Sequence, residues 1–269
     1  LTITGNRFGT DASGTVAVGN SYDGISLEST WDEVRDNQIS GNWGTGISVY
    51  LPAEHSVFAG NVVGLDALGA SALPNDGVGM RVRGSHNIIG GSSTADRNVI
   101  SANDGYGLTL QQGAHHNTVS GNHIGTDVSG TEPLENLDYG IAIYDGATEN
   151  LIGGDTPGDR NLISGNRGDG IIVWGVSSNT VSGNYVGTDV TGASALNNAW
   201  SGIFLGGGAS HNLIGGTNTA TDGSCGGACN LLSGNGEYGI WMQGTGTTSN
   251  TVTGNFIGSD AAGAGAIGN

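Results

Sequence analysis

The stretch "NTVSGNYVGTDVTGASALNN" (179–198) decides the fold, because its last fourteen residues recur along the chain. Related copies stand at 7–20, 62–75, 123–136 and 256–269. In each copy an Asp is followed by Gly three residues later, an apolar residue seven later and Asn nine later. We call this phrase the Asp loop. A phrase that returns about every 60 residues indicates a structural module stacked on copies of itself.

Each module also contains short apolar runs that begin with Gly, such as "GISV" (46–49), "GIAI" (140–143) and "GIIV" (170–173). Their period of two and their Gly and Asn boundaries predict strands rather than helices. Three such strands per turn of the chain pair most simply with their equivalents one turn later. The sequence therefore predicts an all-β, right-handed parallel β-helix of about eight coils, with three short strands per coil.

We expect residues 1–269 to form one such domain. Both ends of the chain fall inside a repeat, which favours a piece of a longer repeat array.

Equivalent side chains should stack from coil to coil. This places Ile141 beside Ile171 in one interior column, and it groups Ile39 and Val57 with Ile89 in a second column. The recurring Asn residues are expected in two registers as hydrogen-bonded ladders at the corners, with His55 in the register of the first ladder.

The charge is strongly acidic. Seven Arg and no Lys face 24 acidic residues, giving a formal net charge of −17. Such a surface repels nucleic acid and anionic membranes, and we expect neither as a partner. No apolar run approaches the roughly 20 residues of a membrane span. These features favour an extracellular or cell-surface protein.

The two cysteines, Cys225 and Cys229, stand in "SCGGACN" (224–230). Two thiols without a neighbouring His do not complete a tetrahedral metal site. A small disulfide is the favoured interpretation and points to an oxidising compartment, with two free thiols as the alternative.

The Asp loop is the first candidate site. Asp followed three residues later by Gly is typical of a type I turn capped by the Asp side chain. The alternative is a calcium loop, because carboxylate, carbonyl and amide oxygens are the ligands that Ca²⁺ prefers. Calcium is thus the one cofactor that the sequence suggests. Its carboxylates would be Asp11, Asp66, Asp127, Asp189 and Asp260.

The outward side of the Gly-initiated strands is the second candidate site, because the coils differ most there. Aromatic faces spaced along a rod can stack on sugar rings, and arginines can bind a carboxylate or sulfate. There are two alternatives. The Asp loops could fold over these outward side chains, or the side chains could form a subunit interface. The residues expected to contact a ligand are Tyr50, Arg81, Arg83, Tyr144, Trp174, Phe204 and Trp241.

The repeat is most degraded in "LESTWDEVRDNQ" (27–38). Paired carboxylates there could act as general acid and base in glycoside hydrolysis. If the chain is an enzyme, the candidate acids are Glu28, Asp32 and Glu33, with Arg81 and Arg83 in the sugar subsite. The simpler interpretation is a degraded repeat whose acidic side chains face solvent and have no catalytic role.

The phrases "NTVSGNYVGTDVTGASALNN" (179–198), "GASHNLIGGT" (208–217) and "RNLISGN" (160–166) resemble the right-handed parallel β-helix repeats of large bacterial secreted and surface proteins. Pectate-lyase-like polysaccharide enzymes share that fold. The resemblance covers essentially the whole chain and implies the fold, but its members include adhesins, stalks, lyases, epimerases and hydrolases.

The even repetition favours a non-catalytic extracellular stalk or adhesive module. Its expected partners are a polysaccharide or cell-surface glycan, or further copies of the repeat. A polysaccharide-degrading hydrolase or lyase is the alternative, and a calcium-stiffened filament subunit is a further one.

Overall fold

The chain winds into a right-handed parallel β-helix with three faces. The computed structural model describes all residues from 1 to 269. Three parallel sheets, one per face, hold nine, nine and eight strands, and each strand pairs with its equivalent one coil away. The expected all-β solenoid is confirmed. No helix could cross a membrane.

The three sheets follow one another in every coil. Sheet 1 contains β1 (Thr2–Thr4), β4 (Glu33–Arg35), β7 (Val57–Ala59), β10 (Ile88–Gly90), β13 (Thr118–Ser120), β16 (Leu151–Gly153), β19 (Thr180–Ser182), β22 (Leu213–Gly215) and β25 (Thr251–Thr253). Sheet 2 contains β2 (Arg7–Phe8), β5 (Gln38–Ile39), β8 (Val62–Val63), β11 (Val99–Ile100), β14 (His123–Ile124), β17 (Leu162–Ile163), β20 (Tyr185–Val186), β23 (Leu231–Leu232) and β26 (Phe256–Ile257).

Sheet 3 is built from the Gly-initiated runs and carries the candidate ligand-binding face. Its strands are β3 (Ile25–Leu27), β6 (Ile47–Val49), β9 (Met80–Val82), β12 (Leu108–Leu110), β15 (Ile141–Ile143), β18 (Ile171–Trp174), β21 (Ile203–Gly206) and β24 (Ile240–Met242). One short 3₁₀ helix, Pro157–Asp159, interrupts a loop between sheets 1 and 2.

The interior is a continuous aliphatic column, as the alternation in the strands requires. Ile141 pairs with Ile171 on adjacent strands of sheet 3, as predicted. The second predicted column needs correction. Phe58, not Val57, occupies the buried position beside Ile89, and Ile39 lies in sheet 2. Val57 is half-buried because the pleat turns it outward.

The buried Asn residues form three ladders rather than the two expected. In each ladder the side-chain amide of one Asn donates to the amide oxygen of the Asn one coil further on, as from Asn42 to Asn75 at 2.8 Å. The corner between sheets 1 and 2 holds the ladder Asn37, Asn61, Asn98, Asn122, Asn161, Asn184, Asn230 and Asn255.

A second ladder occupies the corner between sheets 2 and 3. It combines the Asn that ends each Asp loop with the Asn of the intervening coils: Asn20, Asn42, Asn75, Asn103, Asn136, Asn166, Asn198, Asn235 and Asn269. Gly125 shows why the third residue of each Asp loop is glycine. Its φ is +90°, and a Cβ there would lie 2.4 Å from the amide oxygen of Asn166.

The third ladder, between sheets 3 and 1, runs through Asn87, Asn117, Asn150, Asn179, Asn212 and Asn250. Ser56, not His55, continues it toward the amino terminus by donating its backbone N–H to Asn87. His55 instead belongs to the column of residues directly before this ladder. All three ladders satisfy buried backbone groups at corners where no strand pairing exists.

Candidate functional site

The outward face of sheet 3 forms a groove with an apolar, aromatic floor. Ala142, Ile172 and Phe204 occupy the central outward position on three successive strands and are buried. The loops that precede β12, β15 and β24 add Tyr106, Tyr139 and Tyr238 along one edge, each directly before the initial Gly of the strand. A groove is therefore the expected result of small or flat side chains in the centre and larger ones at the edges.

The groove deepens into a cavity of about 310 Å³ at the middle of the sheet. Its lining consists of Tyr106, Tyr139, Ala142, Tyr144, Ile172, Trp174 and Phe204. Burial raises the pKa of the phenol groups of Tyr106, Tyr139 and Tyr144 above their usual value, so all three stay protonated at neutral pH. The cavity thus presents ring faces together with hydroxyl donors.

Aromatic contacts continue along the groove toward the carboxyl-terminal coils. Trp174 lies 5.9 Å from Phe204, and Phe204 lies 4.8 Å from Trp241, measured between ring centroids. Trp174 remains 47% exposed, and none of the cavity-lining residues belongs to an Asp loop. Trp174 is therefore accessible to solvent, and the Asp loops do not line the cavity.

The other end of the groove is cationic. The guanidinium carbon of Arg83 lies 4.6 Å from the centre of the Tyr50 ring, a cation–π distance. None of the four ion pairs in the structure involves Arg81 or Arg83. On the next strands, the Tyr144 hydroxyl donates to Oε1 of Gln111 at 2.6 Å. The arginines are consequently free to bind an anion beside the tyrosine cavity.

Two carboxyl groups flank the tyrosine edge. Burial raises the pKa of both Asp138 and Asp169. The Asp169 carboxylate accepts a hydrogen bond from the Ser201 backbone N–H at 2.8 Å and so stabilises the turn. Asp138 is only half-buried, directly precedes Tyr139, and is the better placed of the two to exchange a proton with a ligand.

The acids predicted from the degraded repeat do not gather around the arginines. Glu28 is exposed just after β3, in the same outward column as Tyr50 and Arg83. Asp32 is buried at the next corner, where its carboxylate accepts the Ser29 hydroxyl at 2.6 Å.

Glu33 lies on β4 in sheet 1, on a different face of the rod, and pairs with Arg35. Of the predicted enzyme residues, the structure brings Arg81 and Arg83 together and leaves Asp32 and Glu33 apart from them.

The Asp loops fold as self-capped turns. In all five loops the Asp carboxylate accepts the backbone N–H groups four and five residues later, from Thr131 and Glu132 in the case of Asp127. The Ser13 hydroxyl and these backbone donors hold the pKa of Asp11 below its usual value. The geometry matches the turn interpretation, and calcium binding stays a prediction.

Cys225 and Cys229 form a disulfide in the long loop between β22 and β23. The loop bulges from the corner between sheets 1 and 2, outside the groove.

Sequence reasoning missed the tyrosine edge, namely Tyr106, Tyr139 and Tyr238. The signal was present as Tyr-Gly pairs at 106–107, 139–140 and 238–239, each directly before a strand of sheet 3. These tyrosines lie in turns and not in the strands, so the alternation within the strands does not predict them.

Several solved structures share this architecture at low sequence identity. The A-module of the Azotobacter vinelandii mannuronan C-5 epimerase AlgE6 aligns with a TM-score of 0.60 at 16% identity, covering 88% of this chain and 55% of that one. The AlgE4 A-module gives 0.59 at 18% identity, covering 86% and 55%. The periplasmic alginate epimerase AlgG gives 0.56 at 18% identity, covering 86% and 46%. The chain therefore spans about half the length of these structures.

No curated protein matches the sequence. The preference for a non-catalytic stalk or adhesive module is contradicted by the comparisons, because the similar structures are enzymes that act on polysaccharides. They agree better with the alternative, a polysaccharide-degrading enzyme, than with the non-catalytic module.

The model of the family described as "Right handed beta helix region" matches residues 1–186. That match spans more than half of the 269 residues, and three parallel sheets continue the same winding to the last coil. The chain belongs to the right-handed beta helix family.

Proposed function

We propose that this protein is an enzyme that acts on an acidic polysaccharide bound along the groove of sheet 3. The observation that carries the proposal is the pair of arginines, Arg81 and Arg83, without ion-pair partners beside an open aromatic cavity. On a chain with a net charge of −17, two adjacent unpaired cations are a selective place for a carboxylate.

The groove offers each part of a uronate residue a suitable contact. Guanidinium groups bind carboxylates in bidentate geometry, and aromatic rings stack on the apolar faces of sugars. Arg81 and Arg83 would hold the carboxylate of one sugar, while Trp174 and Phe204 would lie against the rings of its neighbours. This arrangement extends over several coils, as a polymer requires.

Neutralising the carboxylate makes the adjacent carbon–hydrogen bond more acidic, which is the first requirement for epimerisation or β-elimination. In epimerisation a base removes that proton and an acid returns one to the opposite face. In elimination the proton is removed, the bond to the neighbouring sugar oxygen breaks, and that oxygen takes up a proton. Tyr144 is the hydroxyl that we assign to this chemistry, since it borders the cavity and the charges of both arginines act on it. Asp138 is the second proton-transfer group.

The epimerases that share the fold are described as acting on mannuronan or alginate, which are acidic polymers. One of them is described as periplasmic. Together with the disulfide, this supports a site of action outside the cytoplasm.

The proposal is tested by incubating the protein with polymannuronate, polygalacturonate and neutral dextran in D₂O. Proton NMR reports exchange at the sugar carbon, ultraviolet absorbance reports unsaturated uronate, and a reducing-end assay reports chain cleavage. We expect exchange or unsaturation with an acidic polymer and none with dextran. Reducing ends without unsaturation would indicate hydrolysis instead.

Two variants define the role of the site. Tyr144→Phe should lower the rate and leave polymer binding in place, while Tyr22→Phe, an exposed tyrosine near the first coil of sheet 3, should match the wild type. Absence of any product from every acidic polymer, with folded protein, would refute the proposal.

A further inference from the structure

A column of stacked imidazoles runs along the corner between sheets 3 and 1, separate from the groove. The column comprises the residues that directly precede the third Asn ladder and, in the two earlier coils, Asp32 and Ser56, and all of them have left-handed backbone φ values between 54° and 62°. Its members in chain order are Trp31, His55, His86, His116, Glu149, Ser178, His211 and Ser249. Because identical backbone angles repeat at each coil, the side chains leave the rod in the same direction.

The first coils of this column bring three histidines into contact. The rings of His55 and His86 lie 4.9 Å apart, and the rings of His86 and His116 lie 4.9 Å apart at an interplanar angle of 4°. Trp31 stacks on the other side of His55 at 4.5 Å. Strand spacing in a sheet is about 4.8 Å, so one histidine per coil places neighbouring imidazoles at this separation.

Glu54 completes a set of three metal-ligand side chains. One carboxylate oxygen of Glu54 and one ring nitrogen each of His55 and His86 all lie within 4.8 Å of one another. The Ser85 hydroxyl donates to Oε1 of Glu54 at 3.0 Å, which orients the carboxylate and leaves its second oxygen available. Such an outer contact is typical of metal-binding carboxylates.

The next coil supplies a further nitrogen. Nδ1 of His115 lies 3.0 Å from the carbonyl oxygen of Gly113, so this nitrogen donates and Nε2 keeps its lone pair. The His115 ring stands edge-on to His86 at 5.5 Å. A hydrogen bond of this kind fixes the tautomer that a metal ligand needs.

We propose that Glu54, His55 and His86 bind a divalent transition-metal ion, with Zn²⁺ as the ion to test, at the corner between sheets 3 and 1. Imidazole nitrogen and carboxylate oxygen are the donor set that Zn²⁺ accepts at about 2.0–2.2 Å. In a tetrahedral site the ligand atoms lie about 3.3 Å apart. His55 and His86 are exposed, and small side-chain rotations close the remaining gap.

The acidic surface favours cations in general, so the test must separate this site from the rest of the protein. Zn²⁺ is titrated calorimetrically into the full chain in a buffer with excess Ca²⁺, which occupies oxygen-only sites. His55→Asn and His86→Asn remove one ligand each, and Asn tolerates the left-handed backbone at these positions. His211→Asn is the matched control, since His211 has φ +55° in the same column but lies between Ser178 and Ser249.

We expect one Zn²⁺ per chain for the wild type and for His211→Asn. Each of the other two variants should weaken binding by about 10-fold to 100-fold or more. In the wild type, Zn²⁺ should shift the ring-proton NMR signals of His55 and His86 and leave those of His211 unchanged.

Circular dichroism and the melting temperature without metal establish that the variants are folded. The proposal is overturned if no Zn²⁺ binds above the level of a protein-free blank, or if His55→Asn and His86→Asn bind Zn²⁺ as the wild type does. The measurement is independent of any polysaccharide activity.

Discussion

Arg83 lies over the ring of Tyr50, 4.6 Å from its centre, and makes no ion pair with any carboxylate. The ring supports the guanidinium from one coil below, and the Nε of Arg83 is buried without a hydrogen-bond partner. Arg81 lies on β9, whereas Arg83 directly follows that strand, and Arg81 is also without an ion-pair partner. The cationic end of the groove is therefore positioned without being neutralised.

Replacing either arginine should weaken the binding of an acidic polysaccharide. A hydrogen bond to a charged group contributes about 1.5–3 kcal/mol, so Arg83→Gln should reduce affinity by about tenfold or more. Titration calorimetry with polymannuronate or polygalacturonate measures the effect. Arg7→Gln, an exposed arginine on sheet 2, is the control and should leave affinity unchanged. Equal affinity in Arg83→Gln and the wild type would contradict a carboxylate subsite here.

Trp174 should contribute by stacking rather than by charge. Aromatic contacts are worth about 0.5–1.5 kcal/mol beyond area burial, so Trp174→Ala should weaken polymer binding by roughly two- to tenfold, and higher salt should not mask the loss. Trp43→Ala is a suitable comparison. Trp43 is 70% exposed, but it lies in the turn between β5 and β6 and not on the outward face of sheet 3. If both tryptophan variants lose the same affinity, the groove is not the binding surface.

The Asn ladders should dominate the stability of the corners. Asn122 is buried and donates its side-chain amide to carbonyl oxygens of Ile89 and Ser120 and to Asn161. Asn122→Ala leaves several buried groups without partners and should lower the free energy of unfolding by about 3 kcal/mol. Asn6→Ala, in an exposed position at the start of the same ladder, should cost only about 0.5 kcal/mol. Urea denaturation compares the two, and equal losses would argue against the ladder as a source of stability.

His123 should make the fold sensitive to mild acid. Burial lowers its pKa from 6.5 to about 4, with the Arg97 charge as a further cause. The unfolded chain therefore binds the proton first, and stability present above pH 6.5 is lost as the pH falls toward 4. The total loss is about 3 kcal/mol, since one pKa unit corresponds to about 1.4 kcal/mol.

His123→Leu should remove most of this dependence, because Leu162 occupies the equivalent position one coil later. Thermal unfolding between pH 4 and pH 7 measures the slope for both proteins. An unchanged slope in the variant would assign the acid sensitivity to other groups. Hydrogen bonding lowers the pKa of Asp11 and Asp260, so these carboxylates add a loss of stability at the acid end of this range, and that loss should be the same in both proteins.

The sequence predicted the winding because period-two strands and positive-φ turns repeat in a fixed order. The sequence could not distinguish two corners of the coil that share the same short sequence motif. The phrase "SGN" ends at Asn122 between sheets 1 and 2 but at Asn166 between sheets 2 and 3, so two ladders looked like one register. Likewise, an offset of one residue led to the prediction of Val57 in the core position that Phe58 occupies, because adjacent strand residues face opposite sides.

The aromatic strip was predicted in part. Tyr144, Trp174 and Phe204 follow from the alternation within the strands, whereas the tyrosine edge depends on turns whose side-chain direction has no simple period. The candidate acids Asp32 and Glu33 were grouped with Glu28 by closeness in sequence. A corner of the rod separates them in space, which is why chain distance was a poor guide there.

The winding tolerates large differences in the length of chain between equivalent rungs. Asn161 and Asn184 are 23 residues apart and Asn184 and Asn230 are 46 apart, yet both pairs are joined by ladder hydrogen bonds of 2.8 and 3.1 Å. The additional residues form a surface loop, which we call the excursion, and the chain then continues the same coil. A foreign peptide grafted at the exposed tip of this excursion, 221–223, should therefore be displayed without disturbing the disulfide or the coils on either side, which makes this scaffold suited to carrying interchangeable loops.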